Sequence, residues 1–284
     1  MVNIIEKENL VLFDGIDLSE IINICYSSTL HLIKVRYRFI RRIRFQITRI
    51  FLSFFFKLWV KEIVGLDNIP SQRPAILVSN HLSYYDFIIL GSFLHKRIVF
   101  LAVKKMKQTS LIKMLGKWHT VVYVDREYPG SAFFREVIRH LEHKKLVVIY
   151  PEATRSRTGK MLKPKHGFVK LAIKANVPII PVAMKGTYEI LPPHKRIPRL
   201  KKCSVIIGKK IYISPDNPEF RDIFFEHRGS RKFGNLTKEQ MEEIALRIME
   251  KIRISAEEQW DESVIEEVQQ VIGKKKTQIH LYNH

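Results

Sequence analysis

At 284 residues with 46% hydrophobic composition, the chain has enough apolar material for one substantial core, which excludes a disordered tail. Its 49 basic against 28 acidic residues leave a formal charge of +21 and call for an anionic partner: nucleic acid, an anionic membrane, an acidic protein or a phosphorylated substrate. Cys25 and Cys203 stand far apart in no CxxC-like pair, so neither a disulfide framework nor a metal site is expected.

The first residues set Glu6, Glu8, Asp14 and Asp17 against a single Lys7, the reverse of the basic start of a cleavable secretory signal. The longest stretch free of Asp, Glu, Lys and Arg is the 13 residues Ile21 to Ile33, short of the roughly 20 apolar residues that span a bilayer. A peripheral or monotopic position on the cytoplasmic face of a membrane is therefore the expected address. Helical spacing then predicts a helix over 35–61. Phe39, Ile40, Ile43, Ile47, Ile50, Phe51, Phe54 and Leu58 share one face, and Arg38, Arg41, Arg42 and Arg49 gather on the other. Such a helix suits a lipid interface, with the apolar side in the acyl boundary and each arginine contributing about 1 kcal/mol against anionic headgroups. Packing on the core is the alternative; the four phenylalanines within 50–56 and the almost purely cationic polar face favour lipid.

After Asn68-Ile-Pro70 short β-rich runs alternate with helical ones. Strands are predicted at 75–79, 98–103, 120–124, 146–150, 179–184 and 204–207, and helices at 106–115, 131–143 and 167–175. A last helix is predicted to start at Thr237, with Gln240 completing a capping box and Met241, Ile244, Ala245, Ile248 and Ile252 forming its buried stripe. The fold class is therefore α/β, a mostly parallel central sheet flanked by helices, preceded by an N-terminal amphipathic membrane-docking helical segment. The expected division is 1–62 for the membrane-associating helical region and 63–284 for the α/β domain with its C-terminal helix. In such sheets ligands sit beyond the carboxyl ends of strands, which is where the polar motifs of this sequence fall.

The most informative run is AILVSNHLSYYDFIIL, 75–90, in which a strand delivers His81 to a polar turn and Asp86 follows after four intervening residues. Moving an acyl group onto an alcohol needs a base for the hydroxyl proton, and a neutral histidine suits that role near neutral pH. A carboxylate on its other ring nitrogen fixes the tautomer and stabilises the imidazolium, so no protein nucleophile is required. Alone, the HxxxxD spacing is weak, because a turn histidine beside an aspartate is usually a structural pair.

Three further blocks follow: VYVDR, YPEATRS and VPIIPV. With NHLSYYD they stand in an order that resembles the glycerolipid acyltransferase family, which includes glycerol-3-phosphate and 1-acylglycerol-3-phosphate acyltransferases. The likeness covers 65–185, with GLDNIP and AVKKM adding to it. The resemblance implies that His81 is the general base and Asp86 its orienting partner. It places Arg126, Glu152, Thr154 and Arg155 around the acyl acceptor, with the arginines on its phosphate, as their planar forks suit. Lys104 is a further expected phosphate contact. For Arg126 the bland alternative is a surface pair with Asp125 or Glu127, for Arg155 a pair with Glu152, and for Lys104 a solvated surface position. Implied with the family are a fatty acyl thioester, either acyl-CoA or acyl carrier protein, as co-substrate, no cofactor, a lysophospholipid acceptor and an anionic membrane surface, with no nucleic acid. The third block commonly has glycine after the glutamate, where this chain has Ala153. Glycine tolerates a positive φ, so either the loop is shaped differently here or it needs only ordinary angles, which bears on acceptor identity more than on reaction type.

A basic nucleic-acid-binding module is the rival from another class, but no nucleic-acid motif is present and the phenylalanine-rich helix suits lipid better. A catalytically idle membrane scaffold is a third reading, against which His81 and Asp86 argue.

Overall fold

The computed structural model of the protein describes residues 18–94, 96, 98–109, 112–113, 116, 119–125, 130–225 and 236–269. In chain order these form α1 (Leu18–Phe56), β1 (Val60–Val64), β2 (Ala75–Ser79), α2 (Tyr85–Phe93), β3 (Ile98–Val103), β4 (Thr120–Val124) and α3 (Ser131–Glu142). There follow β5 (Leu146–Ile149), α4 (Gly167–Ala175), β6 (Ile179–Lys185), α5 (Thr187–Ile190), β7 (Cys203–Ile207), α6 (Arg221–Phe225) and α7 (Lys238–Ala256). Contacts divide the chain into two units, 1–48 and 49–284.

The second unit holds a single sheet of seven strands in the order β1-β7-β6-β2-β5-β3-β4. Every neighbouring pair is parallel except β6 with β7. Strand β2 lies near the centre, with Leu77 opposite Val148 of β5 and Ile180 of β6. All five residues of β2 are buried, as a strand covered on both faces requires. Successive side chains point to opposite faces, and the core divides accordingly. Ile76 and Val78 pack with Val137 of α3, Phe168 of α4 and Ile248 of α7. Ala75 and Leu77 pack instead with Phe87 and Leu90 of α2. The mostly parallel, helix-flanked α/β architecture is the one the sequence predicts.

Three local differences have physical causes. The helix expected over 35–61 starts earlier and stops at Phe56, because Val60–Val64 is a strand paired with β7. Trp59 is buried at the junction, where its carbonyl accepts from Cys203 N–H at 2.8 Å. The second unlooked-for element is α2, whose sequence YDFIILGSF is apolar nearly all round. A helix buried on most of its surface shows no 3.6-residue alternation to read. Third, the helix expected at 106–115 begins as a single 3-10 turn, Lys104–Met106, and 110–111 and 114–115 lie outside the described residues. The capping box at Thr237 is present as expected: its hydroxyl accepts from Gln240 N–H and Gln240 Oε1 accepts from Thr237 N–H. Ile244, Ala245, Ile248 and Ile252 are buried, while Met241 is half-buried.

In α1 the apolar residues Phe39, Ile40, Ile43, Ile47, Ile50, Phe51 and Phe54 are all exposed, as is Leu58 just beyond it. The side chains of Arg38 and Arg41 lie outside the described residues.

Candidate active site

The carboxyl ends of the four adjacent strands β2, β5, β3 and β4 all lie on one edge of the sheet, because these strands are parallel. Directly after them come, in that spatial order, Asn80-His81, Tyr150-Pro151, Lys104 and Asp125. Four segments distant in sequence thus meet at one place, the usual ligand position of an open parallel sheet.

His81 is held at every handle. Its backbone N–H donates to Glu152 Oε1 at 2.8 Å and its carbonyl accepts from Ser156 N–H at 3.0 Å. Before it, Asn80 spans to β6, donating to Met184 O and accepting from Met184 N–H, both at 2.8 Å. The imidazole stacks on Tyr150 with centroids 4.1 Å apart. Its Nδ1 lies 2.8 Å from Asp86 Oδ2. An ionised carboxylate only accepts, so in the neutral ring Nδ1 carries the proton and Nε2 keeps its lone pair. The side chain is 16% exposed, so the imidazole is neither sealed in nor freely solvated.

Asp86 is fully buried in the first turn of α2, where the helix dipole favours a negative charge. Its Oδ2 also accepts from Leu82 and Ser83 N–H at 2.8 and 2.9 Å. Those two amides and the imidazole share one carboxylate oxygen, which fixes its position. The sequence joined these residues through their spacing and the blocks that follow it, and the fold turns that spacing into contact.

Beside His81 opens a cavity of about 420 Å3, within the size range of small-molecule sites. Its lining is largely apolar and aromatic, including Phe87, Phe100, Phe134 and Phe168, with the polar side chains of His81, Thr154, Arg155 and Lys165 among them. An amphiphile with a long apolar tail and a polar, anionic head matches that mixed lining.

Residues 61–185 match the acyltransferase family model. Within the matched segment lie all the candidate site residues, from His81 to Arg155. Among curated relatives the chain is similar to a 1-acyl-sn-glycerol-3-phosphate acyltransferase of Cocos nucifera, 33% identical over 121 residues, 42% of this chain and 39% of the relative. It is similar also to the human 1-acyl-sn-glycerol-3-phosphate acyltransferase alpha, 31% identical over 128 residues, 44% of this chain and 45% of the relative. The chain thus spans about half the length of the curated relatives it matches. In fold it resembles the crystal structure of the 1-acyl-sn-glycerophosphate (LPA) acyltransferase PlsC from Thermotoga maritima, with TM-score 0.53 and 23% identity over 75% of this chain and 82% of that one.

The remaining motif residues take different stations. Glu152, expected around the acceptor, is buried beneath the loop. Its Oε1 takes His81 N–H and its Oε2 takes Leu162 N–H at 2.9 Å, so it ties the third motif to the first. Desolvation pushes its carboxyl up to about 8, against the lowering pull of the two amides. Burying a carboxyl costs least when its polar atoms are hydrogen-bonded, and linking two loops gives both oxygens donors. Thr154 and Arg155 line the cavity. The Arg155 guanidinium does not pair with Glu152; it lies over the Tyr84 ring, 3.4 Å from its centroid. Its buried Nη1 has no hydrogen-bond partner, and burial lowers its pKa while Tyr84 and Asp86 draw it back up. Lys104 sits at the rim, 67% exposed, with its ammonium 4.0 Å from Asp125 Oδ2. It is not part of the cavity lining, and its surface reading is the one the geometry gives. Arg126 lies outside the described residues.

Ala153 resolves the question raised by the missing glycine. Its φ is 56°, so the loop keeps the left-handed turn that glycine would adopt freely, and its N–H closes that turn on Tyr150 O at 3.0 Å. Alanine holds this conformation at a cost of about 1–2 kcal/mol. Tyr84 and Tyr150, which support Arg155 and His81, were not singled out by sequence reasoning. Each adjoins a motif residue, but stacking partners leave no spacing signal. Burial and then the Asp86 charge push the Tyr150 hydroxyl well above its ordinary pKa, so it stays protonated.

Proposed function

We propose that the chain transfers a fatty acyl group from a thioester to the free hydroxyl of 1-acylglycerol-3-phosphate, giving phosphatidic acid. The observation that carries this reading is the imidazole of His81, with Nδ1 on a buried carboxylate and Nε2 free to accept, beside a largely apolar cavity that Arg155 and Lys165 also line. In this mechanism the acceptor hydroxyl gives its proton to Nε2 as its oxygen attacks the thioester carbonyl. The tetrahedral intermediate collapses, the C–S bond breaks, and the imidazolium returns the proton to the departing thiolate. Asp86 orients the ring and stabilises its transient charge. Arg155 pairs with the acceptor phosphate, where its unbonded Nη1 finds the partner it lacks. Thr154 adds a hydroxyl to the same lining.

The acyl donor is acyl-CoA or acyl carrier protein, and the product is a phospholipid precursor. Among the described residues no helix is long and apolar enough to cross a membrane. The exposed apolar residues of α1 and the cations beside them support docking of the N-terminal region on an anionic membrane surface.

The test is direct: purified full-length protein is offered 1-acylglycerol-3-phosphate, glycerol-3-phosphate and lysophosphatidylcholine with each thioester donor, and products are read by mass spectrometry. Phosphatidic acid formed from 1-acylglycerol-3-phosphate is the expected result. Turnover of none of the acceptors overturns the reading.

A further inference from the structure

Between α5 and β7 the chain runs PPHKRIPRLKK, residues 192–202, with five Lys or Arg and no Asp or Glu. The segment takes no part in the proposed chemistry, and apart from the buried Pro192 and half-buried Pro193 it is exposed throughout. Two of its side chains, Ile197 and Leu200, are 81% and 77% exposed, and with Phe54 at 80% they are the most exposed large apolar residues among those described.

Exposure of this kind on a floppy loop would mean little, since the side chains could fold back. This loop is tied down. Arg199 N–H donates to Ile190 O at 2.8 Å, and the Trp59 indole N–H donates to Arg199 O at 2.9 Å. The Lys202 ammonium donates to Leu58 O at 2.7 Å, and Pro192, Pro193 and Pro198 each fix a backbone angle. These bonds join the loop to the segment where Leu58 and Phe55 are also exposed, the Phe55 ring lying 5.6 Å from that of Trp59. At its base, Leu191 O accepts from Ser83 Oγ at 2.8 Å, two residues beyond His81.

We infer that residues 192–202 form a membrane-inserting loop, Ile197 and Leu200 entering the acyl boundary of an anionic bilayer while Lys195, Arg196, Arg199 and Lys201 meet its phosphates. The pairing of rigidly presented apolar tips with cations that no acidic residue interrupts fits a surface that is itself apolar below and anionic above. A duplex nucleic acid would satisfy the cations but leave both tips in water. The hydrogen bond from Ser83 to the base of the loop places bilayer contact next to the turn that carries His81. The choice of lipid as partner rests on the acyltransferase reading, whereas the geometry of the loop does not.

The test uses the full chain with phosphatidylcholine vesicles, with and without phosphatidylglycerol, in a flotation assay. The parent is expected to float with the anionic vesicles. The double variant Ile197→Ser, Leu200→Ser and the triple variant Lys195→Gln, Arg196→Gln, Lys201→Gln should each partition about tenfold more weakly or worse. Both should retain the parent's melting temperature and its turnover of a short-chain, water-soluble lysophosphatidate. Variants that float like the parent overturn the inference, as does a parent that binds duplex DNA and ignores vesicles. A parent that turns over no acceptor, but whose flotation responds to the variants, sinks the enzymatic reading and leaves the docking loop standing.

Discussion

The two halves of the site are held in opposite ways. Around His81 the backbone N–H, the carbonyl, the preceding asparagine and one ring nitrogen each have a bonded partner, and Asp86 Oδ2 takes three donors. At the cationic side of the cavity, Arg155 rests on an aromatic face with a nitrogen unbonded. Proton transfer depends steeply on distance and angle, so the base is fixed before substrate arrives. Phosphate recognition by a guanidinium is completed by the ligand itself, so this side keeps a donor in reserve.

If that contrast is correct, substitutions in the fixed half reduce the rate and those on the cationic side reduce affinity. The largest effect is expected from His81→Ala, which should lower kcat by about 10²–10⁴-fold with an unchanged melting curve. Asp86→Asn should fall close behind in kcat, because the amide can present its N–H to the imidazole and favour the wrong tautomer. Steady-state kinetics with a soluble acceptor separate these from binding defects. Residual turnover within tenfold of the parent in either variant would remove the proposed base.

Glu152 tests whether the clamp is structural. Glu152→Ala leaves two amides near the turn without acceptors and is expected to lower stability by about 2–4 kcal/mol in chemical denaturation, with kcat falling as His81 loses its anchor. The carboxyl has a further signature. Its folded value of about 8 stands above the ordinary 4.5, and Glu258 is similarly raised to about 7, mainly by burial. Groups that hold protons more tightly when folded contribute stability that is complete below pH 4.5 and is lost as pH rises toward 8. The melting temperature should therefore decline between about pH 4.5 and pH 8, and more shallowly in Glu152→Gln. A decline of equal slope in that variant would assign the titration elsewhere.

On the cationic side, Arg155→Ala is expected to raise KM for a phosphorylated acceptor by about tenfold while kcat changes little. Arg155→Lys should recover only part of this, since an ammonium lacks the planar fork that stacks on Tyr84. The smallest effect belongs to Ala153→Gly. Relief of the left-handed strain and the greater freedom of unfolded glycine nearly cancel, leaving about 0–1 kcal/mol of stabilisation in a thermal melt.

The sequence revealed the chemistry-bearing pair better than its supports. The strands β2, β3 and β4 were legible to the residue because each is a short apolar run between polar turns. His81 and Asp86 were legible because they lie five positions apart in one turn. The clamp on His81 comes from Glu152 and Ser156, more than 70 positions away, and no local pattern announces a carboxylate committed to backbone amides. Strand β1 was hidden for a related reason: VKEIV continues a helical-looking stretch, and only its pairing with β7 decides its state. Whether Lys104 lines the cavity was not legible, because position in a motif does not tell which way a lysine leans.

The pairing of Val60 with Cys203 also governs the order in which the molecule can be assembled. Five strands, β2 to β6, can form their parallel ladder and bring His81, Asp86 and Glu152 together before the seventh exists. The β1 segment can find its ladder partner only after synthesis has passed Ile207, a closure across most of the chain and intrinsically slow. A chain released early would hold a formed imidazole–carboxylate pair and an open β6 edge, the kind of exposed template on which nascent chains aggregate.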